Sequence, residues 1–207
     1  MSMQTFRGQP IISDQIDADG LGVVWRELEK ILDVGVAGDI VELGCYAGTT
    51  SIFIRRLLDE KGESDNRAFH VYDSFEGLPE KSREDQNAAG VDFKKGELAV
   101  SKKQFLQAFR RANLVPPITH KCWFDQISDD DIPNQIAFAF LDGDFYGSIL
   151  ASLKIVWPRV QKGGVVLIDD YKRETLPGVE RAVHDFFQGK PNIQALRVEH
   201  NIAIIQV

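Results

Sequence analysis

Two uninterrupted apolar runs stop on acids. Ala137-Phe138-Ala139-Phe140-Leu141 runs into Asp142-Gly143-Asp144, and Val165-Val166-Leu167-Ile168 runs into Asp169-Asp170-Tyr171. A run without polar alternation reads as a strand covered on both faces, the situation in a parallel sheet flanked by helices. The acids then fall at the carboxyl ends of the strands, the edge at which open α/β sheets bind ligands. Up to four carboxylates gathered there would repel one another, so a hard cation that prefers oxygen ligands is the natural counter-charge.

Strand and helix alternate along the rest of the chain. Leu21, Val24, Trp25, Leu28, Ile31 and Leu32 recur at helical spacing and predict a helix over 20–34, closed by Gly35, after a mixed polar arm over 1–19. Strands are predicted at 39–44, 68–73, 117–123, 136–142 and 164–169. Helices are predicted at 49–60, 102–113, 147–157 and from Pro177 to Phe187, with proline where a helix favours it. Two short strands over 193–198 and 202–206 are joined by a turn too short for a crossover and must be antiparallel. Residues 79–100 are polar, with few core candidates, and read as a lid or binding loop. The pattern predicts one α/β domain over 1–207. Its sheet is Rossmann-like, seven-stranded and mostly parallel with a C-terminal antiparallel hairpin, as in the class I methyltransferase fold.

Charge narrows the function. A net charge of −7 and a pI near 5.1 argue against nucleic-acid partners, which demand neutralised phosphates, and against anionic membrane surfaces. A small-molecule acceptor and a homo-oligomer are both compatible with such a surface. Cys45 and Cys122 form no zinc or C-x-x-C spacing and read as reduced thiols. Neither a signal-peptide core nor a membrane-length apolar run is present in the sequence, so a cytoplasmic protein is expected.

The turn after the first strand, Glu42-Leu43-Gly44-Cys45-Tyr46-Ala47-Gly48-Thr49-Thr50-Ser51, indicates the cofactor type. A dinucleotide fingerprint needs a second glycine where Tyr46 stands, so close approach of a pyrophosphate is disfavoured. No Gly-Lys-Ser/Thr follows, which removes the P-loop. S-adenosylmethionine has no phosphate, and Gly44 with the nearby Glu42 suits it better. Asp73, ending the second strand, is placed to accept from both ribose hydroxyls. The competing reading of Gly44 and Gly48 as ordinary turn glycines is weakened because Asp73 lands on the same sheet edge.

Asp142 and the Asp169-Asp170 pair come from two strand ends and can aim at one ion. Asp144, two residues on, is placed to reach an acceptor hydroxyl, or else to stabilise the start of the following helix. The chemistry this predicts is methyl transfer to a hydroxyl, with a divalent ion lowering the hydroxyl pKa and a carboxylate taking the proton. Trp123 is placed to stack on adenine or to pack as an ordinary aromatic. Trp25 and Trp157 read as core, His184 as surface, Tyr171 as either pocket wall or buried ring, and Lys172 and Arg173 as solvated charges or anion contacts.

Four blocks then resemble one family. Gly38 to Thr50, Tyr72-Asp73-Ser74-Phe75-Glu76-Gly77-Leu78-Pro79, Ile136 to Ser148, and Gly163 through Tyr171 to Val183 occur in the order found in macrocin O-methyltransferases of the TylF/MycF type. The resemblance implies a metal-dependent O-methyltransferase acting on sugar hydroxyls of natural products, with magnesium the expected ion. It implies Asp142, Asp169 and Asp170 as metal ligands, Asp144 as general base and Asp73 on the ribose. His120 to Phe124 matches the region near the adenine. Glu42, Gly44, Cys45, Tyr46, Gly48, Thr50, Ser51, Asp73, Ser74, Trp123, Phe124 and Asp142 form the expected cofactor set. A catechol-type phenolic O-methyltransferase and a non-catalytic S-adenosylmethionine-binding protein are the alternatives.

Overall fold

The structure is a computed structural model that describes residues 10–87, 90, 92–189 and 196–207. The first helix, α1 (Ala18–Val34), starts where Asp17 accepts a hydrogen bond from the Gly20 amide at 2.8 Å, and stops at Gly35 in the left-handed region. Strand β1 (Asp39–Leu43) leads to α2 (Thr49–Lys61) and β2 (Phe69–Asp73). Helix α3 (Lys102–Arg111) and β3 (Ile118–Lys121) follow, then β4 (Ile136–Leu141) and α4 (Tyr146–Val156). The chain ends with β5 (Val160–Ile168), α5 (Pro177–Phe187), β6 (Leu196–Glu199) and β7 (Ile202–Gln206).

The seven strands lie in the order β3-β2-β1-β4-β5-β7-β6. All pairs are parallel except β5 with β7 and β6 with β7. Strand β4 is buried along its whole length, and its side chains divide between two cores. Phe138 and Phe140 pack with Leu28, Leu57 and Phe105 from α1, α2 and α3. Ala139 and Leu141 pack with Ile149, Leu153 and Val179 from α4 and α5 on the other face. This two-sided burial is why β4 and β5 read as continuous apolar runs.

Two elements differ from expectation, β5 and the loop after β2. Strand β5 begins at Val160, four residues before the predicted 164, because Gly163 and Gly164 form a bulge. A Cβ on Gly164 would stand 2.8 Å from the Gln161 carbonyl oxygen, so only glycine lets the strand pass. Residues 193–195 of the predicted sixth strand lie outside the described residues. The loop after β2 contains a short 3-10 turn, Arg83–Asp85, whose Asp85 is buried. The closing hairpin turns on His200 and Asn201, both at positive φ, the conformation of a two-residue turn between twisted strands.

Trp25 is buried in the first core, whereas Trp157 is partly buried and packs edge-on against Phe187 at 4.7 Å. Cys45 and Cys122 are both free. Among the described residues no helix is long and apolar enough to cross a membrane.

Candidate active site at the carboxyl edge of the sheet

The chain leaves β1 towards β2 on one side and has β4 on the other, so the crevice opens where the strand order reverses. Backbone hydrogen bonds carry three strands one residue past their ends. Gly44 N donates to Tyr72 O (2.9 Å), Asp142 N to Leu43 O (2.8 Å) and Asp169 N to Leu141 O (3.0 Å). Gly44, at φ +94, approaches Asp142 so closely that a Cβ would stand 1.8 Å from the Asp142 carbonyl oxygen. The first turn and the acid segment therefore touch because residue 44 has no side chain.

Asp73 braces that turn. Its Oδ2 accepts from Cys45 N (2.9 Å) and Tyr46 N (3.4 Å), and its Oδ1 accepts from Phe75 N (2.7 Å). A carboxylate has about four acceptor sites, so about one is left for a further donor. Tyr46, Leu98, Asp144 and Asp170 all line the crevice with positive φ, as does Gly44. Non-glycine residues adopt this region at a cost, and they concentrate at functional sites.

The acids converge. Asp142, Asp144 and Asp170 each offer a carboxylate oxygen, and these atoms lie within 4.8 Å of one another. Burial is the first cause of raised pKa throughout. It holds the Asp142 carboxyl well above its ordinary range, helped by Asp169, Asp144 and Asp170. Burial, then Asp170, pushes Asp144 up to about 7. Burial and the same neighbour push Asp169 up to about 8. Asp170 is raised by burial and partly restrained by Arg173, whose Nη1 donates to Asp170 Oδ1 at 2.9 Å. Repelling carboxylates in a low-dielectric site resist ionising together, and positive charge placed among them would relieve that repulsion.

The crevice is lined by Gly44, Cys45, Tyr46, Asp73, Ser74, Trp123, Phe124, Asp142, Asp144, Asp169 and Asp170 from the expected set. Glu42, Gly48, Thr50 and Ser51 lie behind the turn. Glu42 is fully buried and faces α2, where Ser51 Oγ donates to its Oε2 at 2.5 Å. Gly48 sits against the Phe105 ring, which a Cβ would approach to 3.0 Å. Thr50 is buried in the first turn of α2. Tyr171 is buried outside the crevice and shares a hydrogen bond with His184 Nε2 at 3.2 Å.

Several lining residues were not among the expected site residues, although Leu78 and Pro79 fall in a family-like block and Leu98 in the expected lid or binding loop. Gln15 comes from the polar arm, and Leu78, Pro79 and Leu98 come from the loop after β2. Leu78 N donates to Glu97 O (2.8 Å) and Gly96 N to Leu78 O (2.9 Å), which closes the base of that loop beside the crevice. Asp85 was also illegible as a site neighbour, although Ser82-x-x-Asp85 is a capping-box spacing.

This order of strands, with its crevice and terminal antiparallel pair, defines a class I methyltransferase fold. The structure of the O-methyltransferase NovP superposes with a TM-score of 0.79 at 26% identity, covering 92% of this chain and 80% of that one. The sequence model of the macrocin O-methyltransferase (TylF) family matches residues 16–197, and the chain belongs to that family. The 8-demethyl-8-(2,3-dimethoxy-alpha-L-rhamnosyl)-tetracenomycin-C 4'-O-methyltransferase of Streptomyces olivaceus is 35% identical over 165 residues, 77% of this chain and 61% of that protein. The mycinamicin III 3''-O-methyltransferase of Micromonospora griseorubida is 29% identical over 167 residues, 77% of this chain and 64% of the relative. The chain thus spans about three-fifths of the length of the curated relatives it matches.

Proposed function

We propose that the chain is an S-adenosylmethionine-dependent O-methyltransferase of one domain, working in the cytoplasm, that requires a divalent cation such as magnesium. Its acceptor is a hydroxyl on the sugar of a small-molecule natural product. The observation that carries this reading is the convergence of Asp142, Asp144 and Asp170 within 4.8 Å, beside a crevice shaped by Gly44 and Asp73. The donor set suits a hard ion, being all carboxylate with no thiol or imidazole among the three. The rhamnosyl group in the name of the Streptomyces olivaceus relative supports the sugar.

S-adenosylmethionine supplies a sulfonium methyl that is already electrophilic, and the ion, when bound, supplies charge that acidifies and orients an acceptor hydroxyl. The chain's own residues hold and align these partners. Gly44, Cys45, Tyr46, Asp73 and Ser74 bind the nucleoside, and Asp73 uses its remaining acceptor capacity on the ribose. Glu42, Gly48, Thr50 and Ser51 fix the turn from behind. Trp123 and Phe124 wall the adenine. Asp142 and Asp170 would hold the ion together with Asp169, the ligand implied by the family resemblance although it is not among the three converging acids, and Asp144, which is among them, would take the proton at its carboxylate. Residues 79–87 and 92–100 cover the acceptor, and alignment of the two substrates lowers the barrier further.

Calorimetry with S-adenosylhomocysteine tests the first half of the reading, and a panel of glycosylated and phenolic acceptors followed by mass spectrometry tests the second. Binding of the nucleoside, and a magnesium-dependent mass gain of one methyl on sugar acceptors, is expected. No binding overturns the reading. Undiminished transfer in EDTA removes the ion from it, and preference for catechols replaces the sugar.

A further inference from the structure

Helix α4 begins two residues after Asp144 and lacks a cap of its own. Its N-cap residue is Phe145, which has no side-chain acceptor, so the first amide of the helix, Tyr146 N, needs a partner from elsewhere. That partner comes from the loop after β2. Asp85 Oδ1 accepts from Tyr146 N at 2.7 Å across 61 positions of sequence. The other oxygen, Oδ2, accepts from Ser82 N (2.9 Å) and Ser82 Oγ (2.6 Å). Asp85 is 2% exposed.

A third segment closes round the same carboxylate. Gly178, in the first turn of α5, lies so near that a Cβ there would stand 1.9 Å from Asp85 Oδ1 and 2.9 Å from Tyr146 N. Nearby, Asn87 Nδ2 donates to Thr175 O at 2.9 Å. One buried carboxylate therefore joins the loop beside the crevice, the helix that follows Asp144 and the helix that follows Asp170. Asp144 itself has φ +59, a conformation it keeps only while its surroundings hold it.

We propose that Asp85 is a positioning residue: by capping α4 from another loop, it sets the backbone of Asp144 and ties residues 82–87 to the same support. The inference rests on the reading of Asp144 as the acid that takes the proton. It extends that reading to a residue that touches neither substrate.

Amide hydrogen exchange of the full chain, followed by NMR, tests it with two substitutions. In Asp85→Ala the Tyr146 amide and the amides of 82–87 exchange faster together, about two- to thirtyfold, the span that loss of a helix cap produces. The Asp144 amide resonance shifts with them. In Asp85→Asn the side-chain carbonyl still accepts from Tyr146 N, but its amide group cannot accept from Ser82. Tyr146 protection and the Asp144 resonance then return to wild-type values while 82–87 stay loosened. Faster exchange confined to 82–87 in Asp85→Ala, or failure of Asn to restore Tyr146, overturns the proposal.

Should Asp85→Ala not fold, Gly178→Ala displaces the carboxylate sterically and is expected to give the same loss at Tyr146. Unchanged Tyr146 protection there also overturns it. Failure of the wild-type chain to bind S-adenosylhomocysteine would instead overturn the functional reading and leave the exchange pattern unaffected.

Discussion

Ser51 donates to one carboxyl oxygen of Glu42, and the other oxygen, Oε1, is buried without a partner among the described residues. A half-satisfied acid inside the β1–α2 layer is tolerated when it stays neutral. Burial pushes the Glu42 carboxyl up to about 8, with Asp73 adding to the rise and Ser51 opposing it.

A pH dependence of stability follows. The folded pKa lies above the ordinary value of 4.5, so the folded state holds the proton that the unfolded chain releases. Stability from this group is complete below about 4.5 and is lost as pH rises towards about 8. Glu42→Gln keeps the shape and removes the titration. Urea unfolding at pH 5 and pH 9 is expected to show a smaller loss in the variant than in the wild type. Parallel losses would contradict a neutral Glu42.

Asp142→Asn and Asp144→Asn should separate two roles within one cluster. Asp142→Asn is expected to weaken binding of Mn2+ measured by calorimetry, and Asp144→Asn to leave it within a few-fold. Asp144→Asn should lower turnover by about 10²–10⁴, the range for loss of a general acid or base. Equal loss of ion binding in both variants would merge the roles.

Gly44→Ala and Gly35→Ala compare a touching glycine with a free one. Both residues have positive φ, but nothing lies within 4 Å of a Cβ at Gly35, whereas at Gly44 it would meet the Asp142 carbonyl oxygen at 1.8 Å. Gly35→Ala is expected to cost about 1 kcal/mol, the ordinary left-handed penalty. Gly44→Ala is expected to cost about 2–4 kcal/mol and to abolish nucleoside binding. Denaturant midpoints and calorimetry read both.

The β2–β3 edge is expected to be acid-sensitive. His70 Nδ1 and His120 Nε2 lie 3.1 Å apart, and the His120 ring stacks on Tyr72 at 4.4 Å. Burial, then His120, lowers the His70 pKa, and burial lowers that of His120. Because both folded pKa values fall below 6.5, the stability these rings contribute is present above that pH and is lost as pH drops. Protection factors of amides in β2 and β3, corrected for the intrinsic pH dependence of exchange, should fall between pH 7 and pH 5 more than those in β4. His120→Gln should reduce the difference.

The legible parts of the fold were those where one physical rule dominates. Two-sided burial made β4 and β5 visible, and Pro177 with the apolar spacing after it located α5 at both ends. The convergence of strand ends followed from α/β topology, so Asp73, Asp142, Asp144 and Asp170 could be placed on one crevice without coordinates. What stayed hidden depended on backbone paths. The bulge at Gly163 moved the start of β5, the left-handed turn at Asp144 brought it into contact range of Asp142 and Asp170, and Asp85 reached Tyr146 across a loop with no periodicity. Strand alternation shows that residue 42 and residue 43 face opposite sides of the sheet, but only the packing of α2 shows that Glu42 is sealed behind the turn.

The three ladder bonds that run one residue beyond β1, β4 and β5 make the acid site a continuation of the sheet rather than an attachment to it. Spacing between Gly44, Asp142 and Asp169 is then inherited from the buried centre of the sheet rather than from the loops above it. A site built this way has no separate melting event. On heating, the grip on the nucleoside and the sheet should disappear in a single transition, with no temperature at which the fold persists and the acids have drifted apart.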